Sequence, residues 1–446
     1  MKRLQSGLSV LMALLIAVPF FSGTTAAAQD DDQNIPDYSG RSDSFVKYLA
    51  TIEDRPAADV TLSLNVADAV LSPALSEKME GDSAIRIETG GYVEWTFSAD
   101  KSGVYEIHLS YLASTGKGRK PQITLEFDGS VPYTEASHYE LSRVYRDAGP
   151  IEQNAKGDDL IPEQVEVERW QDRPLLDTAG LSGRNLCLYL SEGSHTLRLT
   201  CESESLYVRS LSLSPGTTVP SNADQAAFYQ QEGYQSVDGF LKIYQAEETL
   251  EKSDVVLYPT YDRTSPATIP YDAVRIRRNT IGKGNWSEPG MWISYRIDGI
   301  PSDGLYYITF KFRQAEAIGV TTFRNVYVNG SIPSRAYENV SFPYGVDWDL
   351  KTVVDENGDP CPVYLTAGEN ELLMEVSLGP YVEVMRMVDD SIYELNRLYT
   401  QIVMITGTTP DSYRDYELDK EIPGLLDAFR EQADALYAAA ALFESL

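Results

Sequence analysis

Gly103-Val104-Tyr105-Glu106-Ile107-His108-Leu109 alternates polar and apolar residues, as a half-buried strand does. Its opening returns as Gly304-Leu305-Tyr306, and twenty-five residues after each glycine comes a turn, Asp128-Gly129 and Asn329-Gly330. Pro132 and Pro333 follow those turns at equal spacing. Further on, Trp170 precedes Asp177 and Gly180 as Trp348 precedes Asp355 and Gly358. Leu188-Tyr189-Leu190 with Gly193 corresponds to Val363-Tyr364-Leu365 with Gly368, and Leu64-Asn65-Val66-Ala67-Asp68 to Ile243-Tyr244-Gln245-Ala246-Glu247. Ordered matches at held spacing are the mark of an internal duplication.

Each copy consists of short alternating runs, such as Ile123-Thr124-Leu125-Glu126-Phe127, broken by Gly, Pro, Asn and Asp. That pattern predicts antiparallel sheets packed face to face. The expected fold is mainly β: two tandem jelly-roll-type β-sandwich modules over 59–216 and 240–388, with a linker over 217–239. A helical segment follows over 389–446. There Ile392, Leu395, Leu398, Tyr399, Ile402 and Ile405 recur at spacings of three and four, and Gly407 to Pro410 interrupt them. A second helical pattern runs from Pro423 to Leu446 without a stop signal, so a truncated helical segment is expected. The first copy is longer by 23 residues between its proline and its tryptophan, and this insertion includes the acidic stretch Asp147 to Glu168.

Lys2 and Arg3, an apolar run from Leu8 to Phe21 and the exit Ala26-Ala27-Ala28 read as a signal peptide over 1–28. Residues 29–58 then form a polar linker and lead-in. The expected location is extracellular or at the cell surface. A formal charge of −30 repels phosphate backbones and anionic lipids, which disfavours nucleic acid and membrane surfaces as partners. Cys187, Cys201 and Cys361 cannot form a disulfide framework in a chain of this length. Cys187 and Cys201 flank a turn and could be bridged, or could lie in different sheets.

Catalysis finds little support. Three histidines, His108, His138 and His195, neighbour no nucleophile motif. Glu166 and Glu168 are the nearest thing to a catalytic carboxylate pair, against the plainer reading of an exposed acidic loop. The chain is therefore expected not to be an enzyme. Binding of a carbohydrate ligand fits better. Tyrosine outnumbers phenylalanine 29 to 13, and a phenol couples a flat apolar face to a polar tip, although tyrosine also suits half-buried strands. The loop Asn279 to Trp286 combines glycines, the amides of Asn279 and Asn285, and the indole of Trp286, the components of a sugar site. Trp170 and Trp348 are further candidates, weighed against core positions. Trp95 and Trp292 sit in alternating strand sequence and are expected in the core.

Gln245-Ala246-Glu247-Glu248, the Gly-Asn-Trp loop, Gly-Leu-Tyr, Val-Asn-Gly and Tyr-Leu-x-x-Gly together resemble the galactose-binding-like carbohydrate-binding modules. That resemblance implies a structural calcium site at Glu247 and, in the first copy, at Asp68. The sequence departs from it at Glu383-Val384-Met385-Arg386-Met387, which lacks the acidic partner expected on a final strand. The whole arrangement also resembles the amino-terminal region of long extracellular solute-binding proteins of carbohydrate ABC transporters of the Gram-positive type. Asp254 to Pro266 and Met404 to Asp415 carry that likeness. It implies non-catalytic carbohydrate binding linked to sugar uptake, with ABC transporter membrane components as partners. The alternatives are a structural or protein-interaction module of a cell-surface assembly, and an accessory region of a polysaccharide-degrading enzyme.

Overall fold

The computed structural model describes residues 44–78, 84–114, 116, 118–178 and 180–446. The signal peptide and the first part of the lead-in lie outside them. The chain divides into two compact units, 44–379 and 380–446. As the alternation predicts, the fold is mainly β with a helical segment at its C-terminal end.

In the first sandwich one sheet is built around Gly103–Ala113, which pairs antiparallel with Gln171–Pro174, Cys187–Leu190 and Leu206–Ser214. The other is built around Gly193–Ser203, between Tyr92–Ala99 and Gln122–Phe127. Tyr105, Ile107, Leu109 and Tyr111 alternate inward from the first sheet; Leu197, Leu199 and Cys201 do so from the second. Cys187 and Cys201 therefore belong to different sheets, and all three cysteines are free. Burial pushes the Cys187 and Cys201 thiols up to about 12, so neither is a nucleophile near neutrality. The lead-in contributes a helix, Phe45–Ile52, capped by Ser44, and Phe45 is buried against Tyr133.

A second core gathers Ile293, Tyr295, Val326, Met374, Val376 and their neighbours. Its main sheet has seven strands in the order Gln164–Glu166, Tyr145–Asp147, Glu251–Lys252, Trp292–Ile300, Gly368–Ser377, Thr322–Val328 and Val340–Phe342. Two small pairs complete it, Gly304–Tyr306 with Val363–Leu365 and Thr309–Phe312 with Asp349–Thr352. The first two strands of the large sheet come from the insertion. The stretch thus crosses over and its two ends extend the sheet of the second core, while most of the residues between them, and Glu168, are exposed.

Matched sequences take matched local geometry. Asp128-Gly129 and Asn329-Gly330 both have positive φ, 47° and 80° against 49° and 85°, the two-residue hairpin turn that suits strand twist. Each turn's side chain accepts from the neighbouring strand, Asp128 Oδ1 from Thr196 N at 2.8 Å and Asn329 Oδ1 from Glu371 N at 2.9 Å.

Two expected boundaries move. The segment 217–239 contains a helix, Asn222–Gln231, capped by Ser221; its apolar residues cluster at Ala226 to Tyr229 without forming a stripe. The C-terminal helix starts at Val382, so Glu383 to Met387 are helical, and the preceding strand is Gly368–Ser377. In the unit 380–446, Val382–Thr406 packs on Leu425–Ser445 through Val384, Val388 and Ala439, with Gly407 ending the first helix. Among the described residues no helix is long and apolar enough to cross a membrane.

Candidate functional site

The site is assembled on Asp262, in the irregular connection between Lys252 and Trp292. Two local rules fix it. Asp262 Oδ1 accepts from Thr264 N at 2.7 Å, the turn an aspartate makes with its own backbone. The Asn279 amide then brackets Asp262, accepting from its N–H at 2.8 Å and donating to its carbonyl at 3.0 Å. Below this, the Thr260 and Thr280 hydroxyls meet at 2.7 Å and close the loop.

Strand register supplies the rest. Phe312 pairs with Asp349, so Arg313 leaves one strand next to where Trp348 enters the other. Trp348 Nε1 donates to Asp262 Oδ2 at 2.9 Å, and Arg313 Nη1 donates to the same oxygen and, at 2.8 Å, to Thr264 Oγ1. Asp262 is buried, which alone would raise its pKa. The hydrogen bonds from Thr264, Trp348 and Arg313 outweigh that and hold the carboxyl below its ordinary value. A stable anion therefore clamps the edge of Trp348 and leaves the indole plane to be presented.

The five tryptophans separate on this point. Trp95 is core, its Nε1 donating to Asn65 O at 3.0 Å. Trp292 is buried as expected, but under a guanidinium from the first sandwich, with Arg173 Cζ 4.4 Å from its ring centroid. Trp170 lies beneath Arg209 at 4.0 Å. Trp286 packs at the edge of the second core, donates to Met291 O at 3.1 Å and carries Arg324 at 4.6 Å. Among the described residues no cation or second ring lies over Trp348, which is half-buried beside the exposed Tyr344, Val346 and Leu350.

Of the residues singled out in the sequence, the structure brings Asn279 and Trp348 together through Asp262. Trp170 is elsewhere, in the first sandwich. Asn285 is exposed, its Nδ2 3.3 Å from Val256 O. Asp262, Thr264 and Arg313 were missed as site residues; the spacing of Asp262 and Thr264 was the available signal. Glu166 is held by the fully buried Arg143.

Glu247 is buried, and desolvation pushes its carboxyl up to about 7. A hydrogen bond from its own backbone offsets part of that, and Glu248 adds repulsion. Asp68 is exposed at the end of the turn Val66–Asp68 in the first sandwich. Among the described residues no three His, Cys, Asp or Glu side chains gather as a metal cluster. Acidic residues do occupy the strand before the C-terminal helix: Glu369, Glu371 and the buried Glu375, which accepts from Tyr327 Oη at 3.2 Å and faces Arg173 at 3.8 Å.

Residues 383–446 match the family described as bacterial solute-binding protein, 4-helix bundle domain. No curated protein matches the chain. Among solved structures the chain is similar to a family 35 carbohydrate binding module from Clostridium thermocellum, at 15% identity over 34% of this chain and 97% of that one, with a TM-score of 0.21. It is similar also to a CBM35 from Paenibacillus barcinonensis, at 11% identity over 35% and 99%, with a TM-score of 0.21. A third likeness is to the GH26-CBM35 beta-(1,4)-mannanase of Podospora anserina, at 11% identity over 40% of this chain and 35% of that one, with a TM-score of 0.23.

Proposed function

We propose that this chain is an extracellular, non-catalytic carbohydrate-binding protein associated with sugar uptake by an ABC transporter, and that Trp348 is its binding platform. The observation that carries this reading is the edge-on clamp of Trp348 by Asp262. It fixes the ring without covering its face, while three other tryptophans lie under arginines and one is core. A sugar stacked there needs a flat, rigid, half-dry surface with polar groups at its rim, and Arg313 and Thr264 stand at that rim. The match of the helical tail to a solute-binding protein domain supports the link to uptake.

Glu247 is the residue through which a structural calcium ion would act. Burying a carboxylate without a cationic partner is costly, and a divalent cation would offset that cost. Calcium would then raise the melting midpoint after chelation, since it binds only the folded state. An unchanged midpoint eliminates the ion, and a shift that survives Glu247→Ala relocates it.

The function is tested by probing plant, microbial and host glycans with the full chain and with Trp348→Ala. The substitution is expected to weaken binding about ten- to a hundredfold, the worth of one aromatic platform with its hydrogen bonds. Silence across all glycans leaves a protein-interaction module as the reading. Undiminished binding by the variant moves the site away from Trp348.

A further inference from the structure

We infer that the loop bearing Tyr261 receives the negatively charged group, carboxylate or sulfate ester, of an acidic saccharide; this deepens the carbohydrate reading above and depends on it. The chain carries −30 overall, yet from Tyr258 to Trp286 five cations stand against two acids, and of the insertion acids packed on this stretch Asp159 pairs with Arg277 at 2.9 Å and Asp158 accepts from Ile276 N at 3.0 Å. Three of those cations converge on one half-buried ring. Lys283 Nζ lies 4.8 Å from the Tyr261 centroid, Arg263 Cζ 5.5 Å and Arg278 Cζ 5.8 Å.

The two acids of the stretch are already committed. Asp262 serves Thr264, Arg313 and Trp348. Asp272 accepts from the backbone of Val274 and Arg275 and lies 3.5 Å from Arg277. Among the described residues none of Arg263, Arg278 and Lys283 has a carboxylate within ion-pair distance, and Arg278 Nε is buried without a hydrogen-bond partner. A ring attracts each exposed cation by about 0.5–1 kcal/mol. The cations also repel one another, by about 0.5 kcal/mol for a pair roughly 8 Å apart in water. An anion placed among them turns that repulsion into attraction, and two guanidinium forks suit a planar or tetrahedral oxyanion. The acidic remainder of the surface repels anions, so discrimination is local to this loop.

The test is titration of the full chain with three forms of one oligosaccharide: uronate-bearing, carboxyl-reduced and sulfated. The anionic forms are expected to bind about fivefold or more tightly than the neutral one, an advantage that shrinks steeply with added salt. Arg278→Gln with Lys283→Gln should abolish the advantage and leave the neutral affinity and the melting midpoint unchanged. If the double variant melts early, Lys283→Gln alone, at an exposed position, carries the comparison. Equal affinity for charged and neutral forms overturns the anion site and leaves carbohydrate binding standing. Retention of no form at all overturns both. An advantage that survives the substitutions overturns the assignment to Tyr261. The two anionic forms tell carboxylate from sulfate.

Discussion

Trp348 and Trp292 make opposite predictions because one is clamped at its edge and the other is buried whole. Trp292→Ala removes a side chain that is 3% exposed together with the seat of Arg173, and should cost about 3–5 kcal/mol of stability. Denaturant unfolding measures that cost; Trp348→Ala should shift the same curve far less. Glu247 adds a pH signature. Its carboxyl is raised in the folded state from an ordinary 4.5 to about 7, so the folded chain holds a proton that the unfolded chain has released. Stability should therefore fall as pH rises from about 4.5 towards 7 and stay reduced above it. In chelator, Glu247→Gln should raise the melting midpoint at pH 8 and change little at pH 4. Equal shifts at both pH values would mean that the carboxyl titrates normally.

The insertion is the element that reasoning from sequence read least well. Gln164–Glu166 and Tyr145–Asp147 are short, carry one acid each and lack a hydrophobic pattern, so nothing in their own residues marks them as strands. Their partners lie far along the chain: Tyr145 pairs with Lys252, whose Nζ reaches Asp147 at 2.7 Å. The sandwiches were legible because Tyr105, Ile107 and Leu109 repeat every second residue. The loop holding Asn279 was legible as polar and glycine-rich. What it binds was not, because Asn279 is occupied by Asp262, seventeen residues back, and only strand register brings Trp348 to that carboxylate. Lys252 is fully buried, which lowers its pKa, and the ion pair with Asp147 opposes that and supports the ammonium charge. Asp147→Ala strands that charge and should destabilise by about 3–5 kcal/mol, whereas a joint change of Asp147 and Lys252 to apolar residues should recover most of the loss. Calorimetry of the single and double variants decides it.

For the whole molecule, the seven-stranded sheet has a mechanical consequence. Tandem modules joined by a linker extend under tension one after the other. Here strands that precede the connection at 217–239 are hydrogen-bonded to strands that follow it, and Arg277–Asp159 and Arg173–Glu375 add cross-ties. A chain pulled from residues 44 and 379 should thus resist until the Tyr145–Lys252 seam shears, and then surrender both cores in one rip. With Asp147 and Asp159 replaced by alanine, the force trace should split into two smaller steps. A native chain that already lengthens in two independent steps would show that the seam bears no load.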